Sequence, residues 1–283
     1  MIQAFGANTH QGIYRNYNED RVSVIMNIPK PKTRLGKWPS CSFFAIYDGH
    51  GGAGCADFLK DKLHTIIITQ DSFPSDPGLA LTNGCREAES QFLLLAEQQK
   101  PNYDRSGSCA IVVLIVDKEC FVANVGDSRA VMSAGRGESM MLLSRDHRPN
   151  DDRERSRIRK NGGIVYQKPR IRQDQTRPEF GPHRVNPGHL SVSRTFGDIA
   201  AKLSKYGGRA GVIVAQPEVS VFTIDPELHD FIVLGCDGIF DKIDSENVLD
   251  ILWNTIKKNK DRTGSIHRLS AVMTDELMRE AAL

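Results

Sequence analysis

Cys109-Ala110-Ile111-Val112-Val113-Leu114-Ile115-Val116 and Cys120-Phe121-Val122-Ala123-Asn124-Val125 are two β-rich apolar runs joined through Asp117-Lys118. The link is short and turn-like, so the two runs read as an antiparallel pair. Two further strands follow at 129–132 and 140–143, linked by Ala134-Gly135-Arg136-Gly137, and the four form a meander. Upstream, 21–26 alternates as a half-buried strand does, 42–47 reads as a buried strand, and 53–63 and 78–98 read as helices. Downstream, a charged helix at 151–161 is stopped by Gly162-Gly163. Strands return at 190–192, 212–215, 219–224 and 231–236, and helices close the chain at 245–258 and 266–282. Strands in runs and helices in pairs argue an α+β fold with antiparallel sheets, not an alternating parallel one.

No repeat, low-complexity tract or Pro/Gly/Ser linker divides the 283 residues, so one domain over 1–283 is expected. Residues 164–189 hold four prolines and four arginines with little periodicity, and read as a long loop of functional or mobile kind. A net charge of +2 supplies no global field for nucleic acid or an anionic membrane, and neither partner is expected. No apolar stretch approaches the roughly 18 residues of a membrane span, and the first residues lack the pattern of a signal peptide. The six cysteines (41, 55, 85, 109, 120 and 236) form no Cys-x-x-Cys pair and mostly sit in apolar segments. They read as buried, reduced thiols of an intracellular protein, cytoplasmic or nuclear, rather than as a zinc site. Nothing in the sequence requires a dimer, so a monomer is expected.

The chemistry is concentrated where apolar runs end. Ser42-Phe43-Phe44-Ala45-Ile46-Tyr47 runs into Asp48-Gly49-His50-Gly51-Gly52, and Phe231-Ile232-Val233-Leu234-Gly235-Cys236 runs into Asp237-Gly238. A buried strand stopping on a carboxylate and a glycine places charge at the edge of a sheet and frees the backbone to turn. Glu19 and Asp20 precede the strand at Arg21, and Asp127 follows the strand ending at Val125. Each of these, taken alone, is ordinary turn chemistry. Four such strand ends in one chain point to a hard, oxygen-rich cation site, because clustered carboxylates need cations to neutralise them. Oxygen donors suit magnesium or manganese. His50 reads either as a solvated turn residue or as an imidazole able to protonate a leaving oxygen. Arg15 reads either as a surface charge or as a guanidinium fork for an oxyanion such as phosphate.

Gly49-His50-Gly51-Gly52-Ala53-Gly54 also matches the dinucleotide-binding pattern between a strand and a helix. Asp48 would then sit against the pyrophosphate, an electrostatic penalty that counts against this reading.

Taken in order, Arg15-Asn16-Tyr17-Asn18-Glu19-Asp20, Tyr47-Asp48-Gly49-His50-Gly51-Gly52, Ser106-Gly107-Ser108-Cys109-Ala110 and Asn124-Val125-Gly126-Asp127-Ser128-Arg129 resemble a known series of motifs. Asp146-His147-Arg148-Pro149, Arg157-Ile158 with Gly162-Gly163, Leu190-Ser191-Val192-Ser193-Arg194-Thr195-Phe196-Gly197-Asp198 and Cys236-Asp237-Gly238-Ile239-Phe240-Asp241 continue it. Together they resemble the PP2C (PPM) family of metal-dependent protein serine/threonine phosphatases over almost the whole chain.

That resemblance implies a β-sandwich of two antiparallel sheets flanked by helix pairs, with two Mg²⁺ or Mn²⁺ ions in a cleft between the sheets. It implies that Asp48 bridges both ions, that the Gly49 carbonyl and Glu19 serve one, and that Asp237 serves the other. Asp20 would hold waters bound to the ions, and Asp127 with Asp237 would hold a weaker third ion. Arg15 would bind the substrate phosphate, His50 would be the general acid, and 164–189 would be a flap beside the site. The implied reaction is hydrolysis of phosphoserine and phosphothreonine proteins by hydroxide activated between two ions, with no phosphoenzyme. No cysteine here is followed by arginine at the spacing of a Cys-x5-Arg phosphatase loop. Family members also carry an Asp-Asn strand shortly after a helix like 274–282, and this sequence stops at Leu283, before it. Either the sequence is cut short before that element, the favoured expectation, or the ligand is lacking and the chain would be a catalytically impaired scaffold or binding module, the alternative expectation.

Overall fold

The computed structural model describes residues 2–13, 15–99, 101–170, 179–259 and 264–282. In chain order the elements are β1 (Arg21–Ile25), β2 (Cys41–His50), α1 (Gly54–Ile68), α2 (Pro77–Gln98), β3 (Gly107–Val116), β4 (Glu119–Val125), β5 (Arg129–Ala134) and β6 (Ser139–Leu142). Then come α3 (Asp152–Lys160), β7 (Ile164–Tyr166), β8 (Pro169–Arg170), β9 (Glu179–Phe180), β10 (Arg184–Asn186), β11 (Phe196–Gly197) and α4 (Ile199–Lys202). The last are β12 (Glu218–Thr223), β13 (His229–Gly235), α5 (Asp237–Phe240), α6 (Ser245–Asn259) and α7 (Ile266–Ala282).

The opening pair of runs becomes β3 and β4, antiparallel, with Ala110 opposite Val125 and Val116 opposite Glu119. They lie inside a sheet ordered β1-β2-β3-β4-β12, with β11 pairing the start of β3, and every pairing is antiparallel. A second antiparallel sheet is ordered β13-β5-β6. Nearly every residue of β3 is buried, because a strand covered on both faces needs apolar side chains at every position.

The period-two pattern of β2 sorts the two faces. Phe43, Ala45 and Tyr47 pack with Leu59, Leu63 and Ile67 of α1 and Leu81 and Phe92 of α2. Phe44 and Ile46 face the other way, into a cluster where Ile111, Val113 and Val122 meet Ala130 and Met132 of the second sheet. Beyond that sheet, Val131 packs with Val248, Leu249 and Leu252 of α6 and Leu277 of α7. The layers are therefore helix pair, sheet, sheet, helix pair. This is the expected α+β sandwich.

Three expectations are corrected. The strands at 190–192 and 212–215 do not form; Leu190 and Val214 make only isolated bridges, to Val185 and Arg194. Val212 and Ile213 are apolar because they pack with Ile158 and Val185 beneath α3, which needs burial but no ladder. The span 164–189 is not featureless: β7 pairs β10, and β8 pairs β9, while 171–178 lie outside the described residues. The helix expected to end at 63 continues to Ile68, because Ile66, Ile67 and Ile68 are buried. The dinucleotide reading also falls. β2 has antiparallel neighbours on both sides, so no parallel crossover leads from its glycine turn. No helix among the described residues is long and apolar enough to cross a membrane.

Candidate metal centre

One carboxylate comes from each sheet. β2 of the first sheet carries Asp48 near its end, and β13 of the second stops at Gly235, one residue before Cys236 and two before Asp237. A carboxylate oxygen of Asp48, the Cys236 Sγ and a carboxylate oxygen of Asp237 lie within 4.8 Å of one another. The Asp237 N–H donates to the Asp48 carboxylate. Gly49 has no side chain for a direct reason: a Cβ there would overlap the Glu19 carbonyl oxygen. That close approach brings Asp20 in, and its carboxylate accepts from the Gly49 N–H and the Cys236 thiol.

These carboxyl groups share an unmet negative charge. Burial, then the charges on Asp237, Asp20 and Asp127, pushes Asp48 well above the usual carboxylate range. Asp237 is raised by burial and then by Asp241, and Asp20 by burial more than by its neighbour Asp237. Asp127 is pushed up to about 6, again by burial and then Asp237. It has partial relief: the Cys109 thiol donates to it at 3.6 Å, and the Arg148 guanidinium lies 3.6 Å away. A buried group of like charges disfavours its own ionised form, and a divalent cation removes that penalty. The Cys236 thiol is raised strongly by burial and by Asp20, and it donates to the Asp20 carboxylate. Oxygen donors on buried aspartates fit Mg²⁺ or Mn²⁺ better than zinc.

The remaining predicted residues surround this group without all joining it. Glu19 Oε1 accepts from the Gly52 N–H at 2.6 Å and Oε2 lies 4.0 Å from Arg15 Nη1, so this carboxylate is turned toward the glycine loop. Arg15 has a side chain 76% exposed, free to meet a ligand from solvent, and its charge reaches Asp237. His50 Nε2 lies 2.8 Å from Asp198 Oδ2. Burial pushes the His50 pKa down, but the hydrogen bond and charge of Asp198 outweigh it and leave the imidazole above its ordinary value.

Three participants lie inside the motifs quoted above but are given no role there. Cys236 stands between the strand and its aspartate and looks like one more apolar residue. Arg148 pairs with Asp241 at 2.5 Å as well as with Asp127, a contact spanning distant segments. Asp198 follows its glycine rather than preceding it, so a search for Asp-Gly strand ends passes it by. A Gly-Asp search after short apolar runs finds it.

The chain was compared with known proteins. The family model "Protein phosphatase 2C" matches residues 10–282. Protein phosphatase 2C homolog 2 of Hypocrea jecorina is 34% identical over 263 residues, covering 91% of this chain and 54% of that protein. A probable protein phosphatase 2C of Caenorhabditis elegans is 34% identical over 259 residues, covering 90% of this chain and 64% of that one. This chain thus spans less than two thirds of the length of these relatives. Among solved structures, a serine-threonine phosphatase 2C from Toxoplasma gondii superposes with a TM-score of 0.70 at 19% identity, over 98% of this chain and 92% of that one. A sex-determining protein of C. elegans does so with a TM-score of 0.73 at 20% identity, over 99% of this chain and 61% of that one. At such identity these structures speak for the fold alone. The family model's reach across nearly all the residues, with relatives at 34% identity, makes this chain a member of the protein phosphatase 2C family.

Proposed function

We propose that this chain is a divalent-cation-dependent protein phosphatase that hydrolyses phosphoserine and phosphothreonine. The observation that carries this reading is the buried meeting of Asp48 and Asp237 at the ends of strands from two different sheets. Asp48, the Gly49 carbonyl, Glu19 and Asp237 are the residues that would hold the ions, Glu19 after turning from the Gly52 N–H that it now accepts from, and Asp20 would orient water beside them. Divalent ions, when bound there, would supply Lewis acidity toward water and phosphate. Asp127 has lower demand for an ion than Asp48, since Arg148 already offers it a counter-charge, so a third ion there is the weakest.

The chain's own residues do the rest. Arg15, exposed and charged, captures the phosphate dianion and orients it for in-line displacement. His50, its ring held by Asp198 at 2.8 Å, is the imidazole to place a proton where a serine or threonine oxygen departs. No cysteine is required as a nucleophile, and burial raises Cys109 and Cys236 away from the reactive thiolate form.

Phosphate release from a phosphothreonine peptide, measured with Mn²⁺ and with chelator, tests this. The wild type turns over only with Mn²⁺, and Asp48→Ala loses at least about a hundredfold. Turnover indifferent to both the metal and the substitution would overturn the mechanism. Peptide binding without turnover would favour the scaffold.

A further inference from the structure

Gly107 opens β3 between two partners. His50 of β2 lies across from it on one side and Gly197 of β11 on the other. A Cβ at Gly107 would overlap both Asp198 Oδ2 and His50 Nε2. The absent side chain is therefore the gap through which the carboxylate of Asp198 reaches the imidazole of His50, at 2.8 Å.

Asp198 is built for this contact. Its backbone is in the left-handed region, φ 51°, which residues other than glycine adopt uncommonly. It precedes α4, yet its carboxylate caps no N–H of that helix. The side chain is 9% exposed, turned inward toward His50 rather than out to solvent.

The backbone around it is braced. The Asp198 N–H donates to the Ser106 carbonyl at 3.0 Å, and the Gly197 N–H donates to Glu89 Oε2 at 2.9 Å. Lys202 Nζ, in a side chain 7% exposed, donates to Glu89 Oε1 at 2.5 Å and to the Thr195 carbonyl at 2.6 Å. An α2 carboxylate and an α4 ammonium thus clamp the turn carrying Asp198.

We propose that Asp198 is a positioning residue for the reaction: it binds His50 Nε2–H and leaves Nδ1 as the ring nitrogen that serves the leaving oxygen. This rests on the phosphatase reading above. In the step, water releases one proton to solvent as its oxygen bonds to phosphorus and the bond from phosphorus to the serine or threonine oxygen breaks. The proton on Nδ1 passes to that departing oxygen. The ring is left neutral with its proton on Nε2, still donating to Asp198, and solvent returns a proton to Nδ1.

Leaving-group dependence tests the role. An alkoxide needs a proton to depart, whereas nitrophenolate does not. Mn²⁺-dependent turnover of a phosphothreonine peptide and of p-nitrophenyl phosphate is measured for wild type, Asp198→Asn, His50→Asn and the double variant. Asparagine tolerates the left-handed backbone, so the fold is retained. Peptide turnover of Asp198→Asn falls about tenfold to a hundredfold more than p-nitrophenyl phosphate turnover, and the double variant is no worse than His50→Asn. Equal losses on both substrates, or multiplying losses in the double variant, overturn the proposal.

Nitrogen-15 NMR of the His50 ring in the wild type gives a reading that needs no variant and no activity. A proton on Nε2 hydrogen-bonded to a carboxylate is expected, and a neutral ring protonated only at Nδ1 overturns the assignment. If the wild type hydrolyses neither substrate, the phosphatase reading falls, while the NMR result still decides the contact between Asp198 and His50.

Discussion

Asp48 is a residue that the fold tolerates at a cost. Burial and three neighbouring aspartates hold its carboxyl far from its preferred charge state, so removing its charge relieves the metal-free protein. Asp48→Asn is expected to melt about 2–4 °C higher than wild type in chelator, the equivalent of roughly 1 kcal/mol in a chain of this size. The same variant loses the further rise that Mn²⁺ gives the wild type. Calorimetry with and without chelator reads both, and a lower melting temperature in chelator would show that the carboxylate is structural instead. At this scale the sequence was legible wherever an aspartate ends an apolar run, as at Asp48 and Asp237. It was illegible at Asp198, whose role comes from a left-handed turn and from the missing side chain of Gly107 on the neighbouring strand.

Among the elements, α3 does more than its charged sequence suggests. Asp151 caps it, accepting from the Arg153 and Glu154 N–H groups. Glu154 is buried and binds Arg157, Arg194 and the Ser193 hydroxyl at 2.6–2.7 Å at its shortest contacts. Burial alone would raise its pKa, but hydrogen bonds from Arg194, Arg157 and Ser193 reverse this and bring it down to about 2. Below α3, His147 is 2% exposed in its side chain. The Gly126 N–H donates to its Nδ1 at 3.2 Å, which requires a neutral ring. Burial and then Arg194 bring its pKa down to about 4.

Both groups give the same sign. Unfolded histidine takes up a proton below about 6.5 and unfolded glutamate below about 4.5, while the folded groups resist. Stability from His147 is complete above pH ~6.5 and is lost as pH falls toward 4, and that from Glu154 is complete above ~4.5 and is lost toward 2. Urea unfolding against pH is expected to show both segments. His147→Asn flattens the upper one, and Glu154→Gln costs about 3–5 kcal/mol at neutral pH by stranding two guanidinium groups. The aspartates raised by burial act with the opposite sign in this window, so the contrast decides: the same slope from pH ~6.5 to 4 in wild type and His147→Asn would contradict the neutral histidine. At this scale periodicity found the long strands and helices. It failed at 190–192 and 212–215, where apolar residues serve packing under α3 rather than a ladder.

For the whole molecule, layering is what makes a site from separated residues. The meander of short links pointed to antiparallel sheets, and the unbroken apolar run of β3 marks a strand covered on both faces. What periodicity could not show is that β2 and β13, far apart in sequence and in different sheets, end beside one another. That placement follows from sheet-on-sheet packing through Phe44, Ile46, Ile111, Val113, Ile232 and Leu234. The direct test counts bound ions: electron paramagnetic resonance of Mn²⁺ titrated into the protein distinguishes free from bound metal. Wild type is expected to bind at least two Mn²⁺ per chain, with binding collapsed in Asp48→Asn and reduced by at least one ion in Asp237→Asn. Unchanged Mn²⁺ binding in both variants would contradict a metal centre at the meeting of these two strand ends.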